Sequence, residues 1–440
     1  MAAGPFAPGH LGELTQVAPF DLVDEVLTET RSTQARVRDL PSRVVVYLLL
    51  AAGLFAGAGY QQVWSRLVAG LDGLPVAMPT SSALAQARRR VGVKPLAALF
   101  GLLAGPAAGS VRWRGLLVCA IDGTTMSVPD SAQNLAVYDR QAGTHGGSGY
   151  PLLRLLAVVA CGTRTIIGAV SGPVSTGETS YAPRLPGCLR PGMLLLADRN
   201  FAARDLAGQI AATGADLLIR CKDGRKLPPV GHCPDGSWLA MLGHVKIRVI
   251  DAQISVTLGG KRDTRHYRLI TTLTGHRAFP ALDLIQLYHQ RWEIETCYLE
   301  LKSTTLGGRV LRARTPAGIS QELYALLSAY QALRLAMADA TASQPAISPD
   351  RASFTVALHT ARDQIIHAAG VIAGTTIDLV GKIGRAVLAS PLPARRARVS
   401  PRVVKRAISK HRAKGTIDRR SYPATINIDI LTTTRLTTGP

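Results

Sequence analysis

Apolar residues in the first hundred positions recur at three- and four-residue intervals. The runs "FDLVDEVLTET", "PSRVVVYLLLAAGLF" and "YQQVWSRLVAGL" are separated by Pro, Gly or polar breaks, which predicts helices. "PTSSALAQARRRVGVKPLAALFGLLAG" then supplies a Ser N-cap, a helix ending in Arg88, Arg89 and Arg90, a short turn and a further helix. From about residue 111 the pattern changes. "GLLVCAID" and "GMLLLAD" are short, nearly continuous apolar runs that end in Asp122 and Asp198, and "YPLLRLLAVVACGTRTIIGAV" reads as one or two strands around a turn. Such runs belong to strands covered on both faces. "RNFAARDLAGQIAATG" predicts a helix, and residues 217–275, rich in Val, Ile and Thr with turn signals, predict a β-rich stretch. Residues 282–302 and "SQELYALLSAYQALRLAMADATA" predict two more helices, and the chain is helical again after Pro345. The implied organisation is a helical region over 1–105, an α/β unit over 106–335 and a basic, mostly helical region over 336–440.

Within "LYHQRWEIETCYLELK", counting about 100° per residue from Tyr288, Arg291, Glu295 and Lys302 all fall within about 60° on one side. Trp292 and Leu299 share that arc, which is unusual for a solvated face of ion pairs. Glu293 and Glu300 fall on the opposite side, so they are expected to be bystanders to whatever the stripe does.

Composition narrows the partner. Lys and Arg number 51 against 29 acids, a net charge of +22, which points to a polyanion and to nucleic acid before membrane. The tail from Ala394 to Arg420 holds eleven basic residues and one acid, Asp418, and reads as a DNA-wrapping arm in preference to a solvated end. Six single Cys without a CxxC pair make a zinc site unlikely, and there is no secretory signal, so reduced cytoplasmic thiols are expected. The most apolar segment, Val44–Gly59, is short for a membrane span and broken by Gly, so it reads as a buried helix. The Arg88–Arg90 helix pair reads equally as a DNA-contacting helix-turn-helix-like element or as a bundle whose cations sit at a helix C-terminus.

Two strand-terminal Asp residues and a helix-borne Glu beside cations suggest chemistry. Groups at strand ends gather in the crevice beyond the sheet. Three carboxylates repel one another unless cations intervene, and an oxygen-only donor set selects Mg²⁺ or Mn²⁺. Two such ions clamp the attacking and leaving oxygens of a displacement at phosphorus. Either Asp taken alone is more often a turn-former.

Tyr288, Arg291, Glu295 and Lys302 fit Y-x2-R-x3-E-x6-K, and the chain thereby resembles a large group of bacterial insertion-sequence DDE transposases. "AIDGTTMSVPDSAQN" and "LLLADRNF" resemble that group's first and second aspartate blocks, and the segment from Leu22 to Arg90 resembles the N-terminal domain many of its members carry. The resemblance implies a ribonuclease-H-like domain with a β-rich insertion over about 217–275. Asp122, Asp198 and Glu295 would be catalytic metal ligands for two Mg²⁺ or Mn²⁺ ions. Tyr288, Arg291 and Lys302 would contact DNA phosphates, with Arg88, Arg89 and Arg90 in the N-terminal DNA-binding domain. It further implies a cytoplasmic, nucleoid-associated enzyme. This would bind the inverted ends of its element in double-stranded DNA as a homodimer, cut them and transfer them to target DNA, with hairpin ends as one route. A structure-specific nuclease of the same fold and a catalytically dead DNA-binding descendant are the rivals. Of the remaining residues, Arg199 is expected to pair with a nearby acid, Trp238 to be a core or hairpin residue rather than a base-stacking one, and His145 to play no part in the site.

Overall fold

The computed structural model describes residues 9–36, 38–71, 75–107, 110, 112–141, 148–258, 261–367, 381–393, 398–399, 422–423 and 425–431. His145 and nearly all of the basic tail lie outside the described residues. The helices predicted near the N-terminus form as α1 (Phe20–Glu29), α2 (Ser42–Leu54), α3 (Tyr60–Val68), α4 (Ser81–Val91) and α5 (Lys94–Leu103). Thr80, rather than a Ser, caps α4 by accepting from the Ala83 amide. A two-residue strand, β1 (Arg112–Trp113), leads into β2 (Leu116–Ser127), which is followed by α6 (Ala132–Leu135), β3 (Leu152–Ala160) and β4 (Ile166–Pro173). Next come α7 (Glu178–Tyr181), β5 (Met193–Ala197), α8 (Arg204–Ala212) and β6 (Asp216–Cys221). The β-rich stretch contributes β7 (Gly231–His232), β8 (Trp238–Leu242), β9 (Val245–Leu258) and β10 (Lys261–Thr271). Helices α9 (Ala281–Tyr288), α10 (Glu293–Leu299), α11 (Pro316–Ala342), α12 (Phe354–Ile366) and α13 (Gly381–Ala389) complete the helical layer. A short pair, β11 (Arg398–Val399) with β12 (Tyr422–Pro423), and β13 (Thr425–Ile430) follow.

The central strands run β4-β3-β2-β5-β6, with β2, β3 and β4 antiparallel and β5 and β6 parallel to β2. That order and orientation is the ribonuclease-H-like arrangement. The strands of the expected β-rich insertion extend the central sheet. β6 is the fifth core strand, β10 pairs antiparallel with it, and β9, β8 and β7 extend the same sheet. β13 pairs with β9, so the C-terminal region expected to be helical also adds a strand.

Alternation sorts each strand between two cores. Val118 and Ala120 of β2 and Leu194 and Leu196 of β5 face α9–α13 and the N-terminal helices, whereas Leu117, Cys119, Ile121 and Leu195 face α8. The helical region before residue 105 therefore shares its core with the sheet and with α11. Helix α11 is buried nearly all round. Its contact with α2 is close enough that a Cβ at Gly53 would lie 3.1 Å from the Ala325 carbonyl oxygen and the Leu326 Cα. Among the described residues no helix is long and apolar enough to cross a membrane.

Candidate functional site

In β2 and β5, Ile121 pairs with Ala197, so the next residue on each strand, Asp122 and Asp198, emerges side by side on the α9–α10 face. Neighbouring strands are about 4.8 Å apart. The expectation that Asp122 ends its strand is incomplete. Against β5 it lies just past the last pair, but β2 continues to Ser127 along β3. Asp122 Oδ1 accepts from the Gly123 amide at 2.8 Å. Burial pushes the Asp122 carboxyl above its ordinary range. The Gly123 amide and Arg291 oppose that shift, and the charge of Asp198 adds to it. Asp198 caps a 3₁₀ turn, accepting from the Asn200 amide at 2.8 Å.

The segment expected to be one helix over 282–302 changes winding twice. A 3₁₀ turn at His289–Trp292 joins α9 to α10, and a π-helical turn spans Glu300–Thr305. Irregular turns of this kind recur at functional sites because they re-aim side chains. Arg291, on the tightened turn, donates from Nη1 to Asp122 Oδ2 at 3.0 Å and from Nη2 to Glu295 Oε1 at 3.3 Å. One guanidinium thus ties the strand carboxylate to the helix carboxylate. Burial opposes its charge, but the field of Tyr288, Asp122 and Glu295 outweighs burial and raises its pKa. Lys302, on the π turn, donates to Thr124 Oγ1 at 3.0 Å. Tyr298 donates to the Asp122 carbonyl at 2.6 Å and accepts from the Ala157 amide at 3.1 Å, which fixes the backbone at Asp122. Trp292 and Leu299 are exposed, at 52% and 58%, beside Glu295.

Tyr288, expected to contact phosphate, also braces the sheet. Its hydroxyl donates to the Ala197 carbonyl at 3.0 Å, bracing the helix against the strand that carries Asp198. Glu293 and Glu300 lie on the opposite side, as the angular count expects, yet they are not bystanders. Arg164 donates to Glu293 Oε2 at 2.8 Å and to Glu300 Oε1 at 3.1 Å, and Glu300 Oε2 accepts from Tyr330 at 2.9 Å and from Arg334. This buried cluster fastens the helix to the β3–β4 turn and to α11.

Of the N-terminal arginines, Arg88 turns inward, its guanidinium 3.6 Å from the centroid of the Tyr60 ring. Arg89 is exposed, and Arg90, exposed as well, donates to the Leu40 carbonyl at 2.7 Å. Trp238 is buried, its indole N–H donating to the Leu227 carbonyl, as a core residue does. Arg199 is exposed and, among the described residues, is not ion-paired with a carboxylate, contrary to expectation.

Sequence reasoning missed Glu178 and Arg154. Arg154 Nη1 donates to Glu178 Oε1 at 2.7 Å. Burial pushes the Glu178 carboxyl up, Arg154 opposes that, and the charges of Asp122 and Asp198 push it further. A Cβ at Gly123 would lie 2.5 Å from Glu178 Oε1, so glycine beside Asp122 is what lets this fourth carboxylate approach. That glycine, inside an otherwise apolar strand, was the available signal.

The donor set fits a hard divalent cation: Asp122, Asp198 and Glu295 offer only oxygen. Among the described residues no three potential ligands already gather into a cage. Arg291 lies between two of the carboxylates and supplies positive charge where repulsion requires it.

Comparison with known proteins accords with this geometry. A family model described as the DDE domain of transposases matches residues 113–332, and one described as the N-terminal part of the insertion element 4 transposase matches residues 8–101. The transposase InsG of insertion sequence element IS4 from Escherichia coli K12 is 27% identical over 408 residues, covering 88% of this chain and 90% of that protein. The putative transposase InsZ of the same organism is 28% identical over 195 residues, 43% of this chain and 63% of its own length. A piggyBac transposase in a synaptic complex with hairpin DNA aligns with a TM-score of 0.42 at 10% identity, over 87% of this chain and 84% of that one. The protein defined by this fold is an enzyme of metal-dependent phosphoryl transfer on DNA. The chain belongs to the DDE transposases, with the N-terminal region of the IS4 type.

Proposed function

We propose that Asp122, Asp198 and Glu295 are the catalytic carboxylates, that they hold Mg²⁺ or Mn²⁺, and that the protein cuts the inverted ends of its own element and joins them to target DNA. The observation that carries this reading is the Arg291 guanidinium bridging Asp122 to Glu295, with Asp198 on the adjacent strand. Divalent ions bound there would activate the attacking oxygen and stabilise the leaving one. The protein's own groups do the rest. Tyr298 and the Gly123 amide hold Asp122 in place, and Tyr288 braces the Asp198 strand. Arg291 and Lys302 are the phosphate-contacting cations, since a guanidinium released from two carboxylates can grip a phosphodiester bidentately.

Water attacks first and frees a 3′-hydroxyl, which then attacks the opposite strand, closing a hairpin, or attacks target DNA. Residues 1–105, through Arg89 and Arg90, and the basic region after 336 add contacts to duplex DNA. The working form on DNA is a homodimer, because two ends must be held together. Incubating the protein and Mg²⁺ with a labelled duplex from the DNA bordering the gene tests this reading. Nicks, hairpins and joined products are expected, and their absence with well-bound DNA would exclude it.

A further inference from the structure

The helix stripe covers Asp122 and Asp198 from one face of the sheet, and a second group of cations lies around the sheet end on the other. Arg154 shares the alternation of Leu156 and Val158, which face the α8 core, and so points away from Arg291. With Glu178 and Thr179 of α7, and Arg199, Asn200 and Lys222 from the ends of β5 and β6, it lines a cleft of about 410 Å³. That volume is in the range of ligand clefts. Three cations face one carboxylate there. Arg154 is held through Nη1 by Glu178 and through Nη2 by the Val174 carbonyl at 3.3 Å. Arg199 and Lys222 are exposed and, among the described residues, not ion-paired. Two exposed cations that are not ion-paired among the described residues, beside an anchored arginine, suit an anion with several acceptor oxygens.

We propose that this cleft seats a second DNA backbone phosphodiester, distinct from the one being cut, with Arg199 as the directed donor and Lys222 and the anchored Arg154 adding positive charge. Arg199 follows Asp198 directly, so a phosphodiester held here lies next to the reacting one. The inference rests on the transposase reading above. The phosphodiester comes either from the strand continuing past the cut or from the target strand, and the test separates the two.

The test uses the full chain and two variants, Arg199→Ala with Lys222→Ala, and Lys222→Ala alone, all at exposed side chains. Salt titrations measure binding of a labelled duplex from the DNA bordering the gene and, separately, of plasmid. Joining of pre-cut ends to supercoiled plasmid is measured in Mg²⁺. If the cleft holds the continuing strand, the duplex salt slope flattens by about 0.9 per lost contact, and nicking falls together with joining. If it holds the target strand, the plasmid slope flattens instead, and joining falls at least about tenfold more than nicking. Both slopes unaltered in the double variant, with joining within about twofold of wild type, overturn the proposal. Wild-type protein that binds DNA but neither nicks nor joins overturns the proposed chemistry instead, and the salt slopes still report on the cleft.

Discussion

Glu300→Gln tests whether the buried side of the catalytic helix is what holds its reactive side in register. Glu300 accepts from Arg164, Tyr330 and Arg334, and the Arg334 side chain is 1% exposed. Replacing its charge leaves the buried Arg334 without its carboxylate and Arg164 with Glu293 alone, and breaking a buried pair in this way costs about 3–5 kcal/mol. A chain of this length unfolds with an entropy of about 2.1 cal/mol/K per residue, so a loss of that size lowers Tm by roughly 3–5 °C. Urea denaturation followed by fluorescence and circular dichroism should show a lower midpoint with an unchanged slope. Adding Arg334→Met should recover part of the loss, because it removes the orphaned cation. A loss below about 1 kcal/mol, with no recovery in the double variant, would refute the clamp.

Three further outcomes are expected. Arg291→Ala should weaken binding of the element's ends by about 1–3 kcal/mol as well as slow cutting, measured by titration and single-turnover nicking, because it removes charged hydrogen bonds. Acidification should raise the Mg²⁺ needed for half-maximal nicking at a pH above the ordinary aspartate range. Burial raises the Asp122 pKa, so the carboxyl is protonated early as pH falls, and only the ionised form holds metal. The same raised pKa means the folded state binds more protons than the unfolded one, so through this window Asp122 makes the metal-free fold less stable as pH rises, not more. Gly53→Ala should destabilise the protein by about 1–3 kcal/mol in the same urea experiment, since its methyl meets the α11 backbone rather than a movable side chain.

Part of the candidate site's geometry was legible in the sequence because strands and helices impose their own geometry. Apolar runs ending in Asp122 and Asp198 identified two strands, and the angular count put Arg291 on the same side as Glu295, to which it is bonded. What the count could not supply was the 3₁₀ and π turns, which depend on packing against β2 and α11 and have no periodic signature. Glu293 and Glu300 were placed on the correct side but taken for bystanders, because their partners Arg164 and Arg334 are far away in the chain. Glu178 was invisible for the same reason: its nearness to Asp122 and Asp198 arises only once α7 crosses the sheet end. For Arg88 the sequence left a DNA contact and a helix-terminal cation equally open, because a run of three arginines hides which one faces the Tyr60 ring. The β-rich insertion was legible, but its continuation of the central sheet and the joining of β13 to β9 were not, since strand composition does not reveal which edge a strand joins.

The most direct measurement compares Asp122→Asn, Asp198→Asn and Glu295→Gln for single-turnover nicking of a labelled end in Mg²⁺, alongside end binding and urea stability. Each variant is expected to remain folded and to bind the end at least as well as wild type, since a charge repelling phosphate is gone, while nicking falls by several orders of magnitude. Nicking within about tenfold of wild type in any one of the three folded variants would contradict the assignment of these carboxylates as the metal-binding set.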